Sequence, residues 1–529
     1  MTFIGLKILL VCKETFSYPL FYLGEKWKKD NEVAAFFFNP VECVYNKSTL
    51  NASTYYWFKE HGYKVFDSKD IAMEFAAMDN SKINDPDYLN YIRENYTQFR
   101  SVNLQFMFSQ YLTRHFHFRN YMRDSTQEEQ VNWLCLNYRN IEKILDEYRP
   151  DVIIDTDNAE LARIVLLETS YKRNIPYITL EFPRYETYKT CSYQLGIGID
   201  PYFIDAYEKA LSGNEPKDEE IEYIRNFREK KNIMSVEYQN TIDSKYSPDP
   251  VILIMKRLTG IFLYFYRQNI SAGNLAVKKT KSIIFPSTLE YLKFYWRVEW
   301  TRRKLLSSNH VFEAPVAGEK YVYMPLHLIP ESTTFVKAPF FINELSIIEA
   351  VSKALPPTWK LYVKEHQAML GERTLDFYDA VKKIPNVRLV QLNYYTDPKP
   401  WITNCMGVVT ITGTTAFEAA LLSKRAVVFG DVMFGLIKGV TKVADIEQLP
   451  ELIEEFETPL DNVDSCAAYI QAVRKTGVPV NFNDLMLKCE RMIKYNEPAD
   501  ELFETELGNL EKLFYIAYDR WLEQKDKGI

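Results

Sequence analysis

The chain has 529 residues, a formal charge of −7, and 47% hydrophobic against 26% charged residues. That length accommodates roughly two to four domains, the composition is that of globular protein able to bury large cores, and the acidic balance argues against a general nucleic-acid binder. The seven cysteines are scattered, with no CxxC pair; an odd count without metal-ligand spacing indicates reduced, mostly buried thiols and a cytosolic compartment, which makes the sequons at Asn46, Asn51, Asn95 and Asn269 incidental.

The N-terminal run MTFIGLKILLVCKETF is short, interrupted by Lys7, and lacks a small-residue cleavage site. It reads as a first strand at 7–11 and not as a signal peptide. No stretch approaches about 18 uncharged apolar residues, so no transmembrane helix is expected. A helix at 20–30 and a second strand at 32–38 complete a βαβ opening. Ligand groups in such folds gather where strands end, which makes Glu14 and Ser17 candidate cleft residues as well as ordinary loop residues. Residues 67–148 read as mainly helical. His115 and His117 stand two apart and do not share a helix face, so they are not expected to form a metal site.

The next clear unit is a strand at 151–157, a helix at 158–172 and a strand at 175–181. Asp155, Asp157 and Glu181 stand near strand ends, where a carboxylate can act as general base on a substrate hydroxyl. Asp157 is also placed to cap the helix. Residues 211–246 are strongly charged and read as a solvated helix. From 251 to 310 the balance changes: eleven Lys/Arg and two Glu give a segment of +9, against −16 for the remainder. Bulky apolar and basic residues alternate there, as in VILIMKRL and YLKFYWR. Helices of this kind can lie on an anionic membrane surface, line a groove for a polyanionic acceptor, or pack on acidic faces of their own chain.

The second α/β unit begins with a strand at 321–324 that runs into a Pro-bounded loop carrying His327 and Glu331. A helix at 342–354 follows, then a strand at 359–366. Strand periodicity puts Tyr362, Lys364 and His366 on one face, with Lys364 and His366 at the strand end as a clamp for an anion. After a strand at 386–390 comes GVVTITGTTAFEAALLSKRAVVFG (residues 407–430), which reads as strand, tight loop, helix, strand. The loop Thr412-Gly413-Thr414-Thr415 aims free N–H groups and a helix end at one point, as a phosphate requires. Glu418, in the first helical turn, is in reach of a ribose hydroxyl. The loop has neither the Walker spacing nor a GxGxxG fingerprint, and an N-capped helix without a ligand fits the same residues. Helices at about 484–525 end the chain.

Three ordered motifs, PLHLIPEST, LYVKEHQ…G.R…FY…IPNVRLV and VVTITGTTAFEAALLSKRAVVFG, together resemble the capsular-polysaccharide synthesis family of glycosyltransferases, which includes β-Kdo transferases. The resemblance covers about residues 315–440. It implies an α/β protein of GT-B type, with two Rossmann-like domains facing a cleft and a nucleotide-sugar donor held mainly by the C-terminal one. It implies Lys364 and His366 at the nucleotide phosphate, matching a Lys-x-His-Pro motif that here has Gln367 in place of Pro. It further implies Gly413, Thr414 and Thr415 at the phosphate or sugar, Glu418 at the ribose, and His327 and Glu331 facing the donor. Asp157 is the candidate base from placement alone.

The organisation expected is an N-terminal acceptor domain with a helical insertion (1–246), a basic helical connector (247–313), a donor-binding domain (314–480) and C-terminal helices packing back on the domains (481–529). The expected activity is direct displacement from a nucleotide sugar to a surface-polysaccharide or glycolipid acceptor, without metal or cofactor. Such an enzyme is expected in the cytoplasm, with peripheral membrane contact through 251–310 and no nucleic-acid partner. The alternatives are a nucleotide-sugar 2-epimerase of the same architecture and a non-catalytic subunit of a polysaccharide-assembly complex.

Overall fold

The computed structural model describes residues 3–39, 53–109, 125–213, 215–234, 250–271, 288–307, 311–392, 394–395 and 397–526. Cys43, the sequons at Asn46 and Asn51, His115, His117 and the stretches 272–287 and 308–310 of the basic segment lie outside the described residues.

Six strands build most of the first sheet: β1 (Lys7–Cys12), β2 (Glu32–Phe37), β3 (Lys64–Asp67), β4 (Val152–Ile154), β5 (Tyr177–Glu181) and β6 (Tyr188–Ser192). The second consists of β7 (Tyr321–Pro325), β8 (Lys360–Lys364), β9 (Val387–Leu389), β10 (Gly407–Thr410), β11 (Ala426–Val428) and β12 (Val440–Lys442). A last strand, β13 (Val478–Pro479), returns to the first sheet, whose order is β13-β6-β5-β4-β1-β2-β3. The second sheet runs β12-β11-β10-β7-β8-β9 and is parallel throughout. In the first, β1 to β5 are parallel and β6 is antiparallel to both of its neighbours. Helices on both faces explain why the central strands read as unbroken apolar runs: Ile8 to Cys12 and Val152 to Ile154 are all buried. The protein therefore has two Rossmann-like domains of GT-B type.

Each sheet has one point where the strand order reverses, and there the loops diverge to leave a crevice. In the first sheet it lies between β1 and β4, flanked by the loops after Cys12 and Ile154. In the second it lies between β7 and β10, flanked by the loops that carry His327 and Thr412–Thr415.

The chain exchanges between the domains twice. Helices Pro201–Ser212 and Asp218–Glu229 leave the first sheet and pack on the second domain, where Phe203, Tyr207, Ile224 and Phe227 share a core with Tyr323, Trp401 and Tyr469. The charged stretch expected to be a solvated helix is thus amphipathic. It buries Glu220, Ile224 and Phe227, and Arg474 pairs with Glu220 at 2.7 Å. Residues 201–229 accordingly belong with the second domain, earlier in the chain than the boundary expected at 246. In the other direction, helices Phe482–Tyr495 and Glu501–Asp526 cover the first sheet. Leu485, Cys489, Leu510 and Phe514 join Leu10, Trp27 and Ile154 there, and Trp27 Nε1 donates to Glu511 and Tyr515 at 3.0 Å each.

The basic segment forms two helices, Val251–Ser271 and Thr288–Ser307, that pack side by side. The second leans on the second domain, with Leu305 in its core. Among the described residues no helix is long and apolar enough to cross a membrane.

Candidate functional site

His327 sits at the switch point of the second sheet and is buried. Its Nε2 accepts the Thr412 N–H at 3.2 Å and lies 3.1 Å from Thr410 Oγ1, while Nδ1 lies 3.2 Å from Glu344 Oε1. An accepting Nε2 leaves the proton on Nδ1, aimed at the carboxylate. Both ring nitrogens are therefore used inside the protein, and His327 shapes the threonine loop from below. Gly413 is required by the same packing: a Cβ there would stand 2.5 Å from Thr410 Oγ1 and 3.3 Å from His327 Nε2. Thr412 Oγ1 is buried without a hydrogen-bond partner among the described residues, an uncompensated hydroxyl at the base of the loop. Thr414 is the N-cap residue of helix Thr415–Leu421, which is only seven residues long.

The loop after β8 rests on a charged network that the sequence reading did not anticipate. Arg373 is fully buried; it contacts Glu344 at 2.6 Å and Glu365 at 3.0 Å, and donates to the His327 carbonyl at 2.7 Å. Tyr378 donates to Glu365 at 2.7 Å. Burial pushes the Glu365 carboxyl up despite Arg373. For Glu344 burial acts in the same direction, but Arg373 and His327 outweigh it and hold the carboxyl below its ordinary range. Two carboxylates around one guanidinium, closed by a tyrosine and a backbone carbonyl, tie the loops after β7 and β8 into one unit. The only sequence signal was the G.R spacing at Gly371 and Arg373.

On that platform stand Lys364 and His366. The Lys364 ammonium is half-buried and has no ion-pair or hydrogen-bond partner among the described residues. Burial pushes it down to about 8, with Glu365 opposing. His366 Nδ1 accepts the Ala368 N–H at 3.2 Å, which leaves the ring proton on Nε2. Burial, then the neighbours His327, Arg373 and Lys364, pull the His366 imidazole down to about 4. His366 is therefore neutral at pH 7: it can donate one N–H to an anion but brings no charge. Of the expected Lys/His clamp, the charge comes from Lys364 alone.

The Glu418 carboxyl, half-buried in the first turn of its helix, has no hydrogen-bond or ion-pair partner among the described residues. Burial raises its carboxyl to about 7, with Asp397 adding to the rise and Arg184 of the first domain opposing it. Among the described residues an unpaired carboxyl thus follows β10 and an unpaired ammonium ends β8, on either side of the central strand β7. Glu331, at the N-cap of helix Ser332–Lys337, accepts a hydrogen bond from Thr333 Oγ1 at 3.0 Å.

Across the cleft, helix Leu161–Lys172 begins three residues later than expected, and Glu160, not Asp157, is its N-cap residue. Asp157 is bound instead to Arg163, Oδ2 to Nη1 at 2.8 Å; its side chain is 16% exposed, and Oδ1 accepts no hydrogen bond among the described residues. Asp155 is fully buried beneath it, paired with Arg163 at 2.7 Å and hydrogen-bonded to Tyr177. Of the first-loop candidates, Ser17 is buried and donates to the Glu14 carbonyl at 2.6 Å. Glu181, at the end of β5, meets Lys337 of the second domain, Oε2 to Nζ at 2.9 Å, both nearly buried; its other oxygen has no hydrogen-bond partner among the described residues. This pair brings the carboxyl edges of the two sheets face to face. The described residues hold no group of three or more His, Cys, Asp or Glu side chains placed for a metal ion.

No family model matches the chain, and the comparison with curated proteins found no match. Solved structures similar to it include two β-Kdo transferases of Thermosulfurimonas dismutans KpsC. The 2,7 transferase is 11% identical with a TM-score of 0.30, and the match covers 67% of this chain and 90% of that one. The 2,4 transferase is 11% identical with a TM-score of 0.32, over 64% and 87% of the two chains. The UDP-GlcNAc 2-epimerase of Methanocaldococcus jannaschii, solved with UDP-GlcNAc and UDP, is 10% identical with a TM-score of 0.26, over 89% and 100%. Capsule-type transferases, the family suggested by the three motifs, are thus among the similar structures, beside epimerases. At these values the likenesses carry no information on activity, and the two-domain architecture rests on the sheets themselves.

Proposed function

We propose that this chain is a nucleotide-sugar-dependent glycosyltransferase whose donor lies at the switch point of the second sheet. The observation that carries the reading is the pair of ionisable groups unpaired there among the described residues: the Lys364 ammonium at the end of β8 and the Glu418 carboxyl after β10, flanking a loop whose Thr412 hydroxyl is also without a partner among them. A half-buried cation without a counter-ion is costly unless an anion completes it, and a nucleotide diphosphate supplies that anion. Glu418 is the matching acceptor for ribose hydroxyls.

In this reading the leaving phosphate collects the Lys364 charge and the His366 Nε2–H, with N–H groups of the Gly413–Thr415 loop, and needs no proton from His366. Glu331, held by Thr333, faces the sugar end. Asp157 serves as base: Arg163 fixes its rotamer through Oδ2 and leaves Oδ1 for the hydroxyl proton of a glycan or lipid-linked acceptor. The Arg373 network and His327 act by positioning.

The test is thermal stabilisation of wild type and His366→Ala by CMP, UDP, GDP and dTDP and their sugar conjugates. One nucleotide should stabilise the wild type selectively and the variant much less. Indifference to the whole panel would overturn the donor site. Product analysis with the selected sugar then separates the activities: an epimerised nucleotide sugar formed without acceptor would replace transfer by epimerisation.

A further inference from the structure

The helical pair Val251–Ser271 and Thr288–Ser307 exposes a surface unlike the rest of the molecule. On the first helix Ile252 is 69% exposed, and Val251, Leu253, Met255, Phe262 and Leu263 are each more than 40% exposed. On the second, Leu289, Lys293, Trp296, Trp300 and Lys304 recur at spacings of four, three, four and four residues and so share one face. All five are exposed, and the indoles of Trp296 and Trp300 stack with centroids 6.2 Å apart. An open groove of about 460 Å3 runs between the helices, lined by Leu258, Thr259, Phe262, Leu292, Lys293 and Trp296. Among the described residues, Lys256, Lys293 and Lys304 have no carboxylate within ion-pair distance, and the segment carries +9 in a chain of net −7.

We propose that this helical pair is a docking surface for a bilayer containing anionic lipids, on which it lies without crossing. Bulky apolar side chains interleaved with unpaired cations suit the boundary between headgroups and acyl chains, where indoles also prefer to sit. The charge decides between occupants. A second copy of this chain would bring the same positive face to itself, whereas an anionic leaflet is complementary to it. The second helix fixes the orientation of the molecule on the membrane. Arg302 Nε donates to the Leu370 carbonyl at 3.2 Å and Arg297 Nη2 to the Glu372 carbonyl at 3.4 Å; a Cβ on Gly371 would stand 2.5 Å from the Val298 carbonyl. The lipid-facing helix is therefore seated on the loop between His366 and Arg373.

The test uses the full chain, without nucleotide, in flotation with vesicles of phosphatidylcholine alone or mixed with phosphatidylglycerol. Wild type should float with the mixed vesicles at low salt, be released as salt rises, and ignore phosphatidylcholine. Trp296→Ser with Trp300→Ser should abolish flotation. Each of Lys256→Gln, Lys293→Gln and Lys304→Gln should weaken it roughly fivefold. Because these side chains are exposed, the thermal midpoint should be unchanged, and that is measured alongside. Failure of wild type to float with mixed vesicles, flotation unaffected by the tryptophan pair, or a dimer in solution that the same pair dissolves in place of vesicle binding would each overturn the proposal.

Discussion

Replacing Lys364 with Met should make the ligand-free protein more stable and nearly blind to its nucleotide. The ammonium is pushed from its ordinary 10.5 down to about 8 by burial. That fall corresponds to roughly 3 kcal/mol at about 1.4 kcal/mol per pH unit, and partial exposure reduces it to about 1–2 kcal/mol. The sign follows from proton counts. Between pH 8 and 10.5 the unfolded chain binds the extra proton, so wild-type stability rises with pH across that window, and below pH 8 the full cost is present. The Met variant has no such rise, and at pH 7 its midpoint should lie a few degrees above wild type. A charge-assisted hydrogen bond to phosphate is worth about 1.5–3 kcal/mol, so its loss weakens binding roughly 10- to 100-fold. At a nucleotide concentration about 100 times the wild-type Kd, stabilisation should fall from about 2.7 kcal/mol to below about 1.5 kcal/mol. Differential scanning fluorimetry across pH 6–10.5, with and without nucleotide, reads both effects. A variant that is less stable without ligand yet fully responsive to it would refute the reasoning and make Lys364 a packing residue.

Glu418 gives the opposite pH signature. Its carboxyl is raised to about 7, so the folded state holds the extra proton between about pH 4.5 and 7, and stability should fall as pH rises through that window; Glu418→Gln should flatten the decline in thermal melts. Asp157→Asn should leave nucleotide binding intact while slowing transfer by roughly 10²–10⁴-fold, read in a steady-state assay with the selected donor. Lys337→Met should destabilise the protein by about 3 kcal/mol by stranding Glu181, and Lys337→Met with Glu181→Met should recover most of that in chemical denaturation. Arg373→Met should be the most damaging of the set, since it leaves Glu344 and Glu365 without their cation, with loss of about 3–5 kcal/mol in the same measurement.

The central strands of both sheets were legible because each is a short apolar run ending in a polar loop, and parallel strands buried on both faces must look like that; the outer strands β3 (Lys64–Asp67) and β12 (Val440–Lys442), too short and too mixed to show that run, were not read. The same logic brought Lys364, His366, Thr412–Thr415 and Glu418 to attention: a residue just after such a strand belongs to the ligand-facing edge. What escaped is non-local. Arg373 stands in a loop whose local pattern says nothing of Glu344, twenty-nine residues earlier. Asp157 followed by Asn158 looks like a helix cap, yet the helix starts at Leu161 because Arg163 draws the Asp157 carboxylate away. Strand β6, YKTCS, is polar, and the edge strand β13 is only the two residues Val478–Pro479. Helix Asp218–Glu229 looks solvated until Phe227 and Ile224 are seen to meet a domain that lies much later in the chain.

The double exchange of chain between the domains has a consequence during synthesis. After β6 leaves the ribosome, about 290 residues must be made before β13 and its two following helices arrive; at 5–20 residues per second that takes roughly 15–60 s. Throughout that interval Trp27, Leu10 and Ile154 lack the helices that cover them, while helices 201–229 wait for a core not yet translated. The nascent N-terminal half therefore exposes this apolar surface until the chain is nearly complete. Neither half, cut between the sheets and expressed alone, should stay soluble, whereas the two co-expressed should find each other.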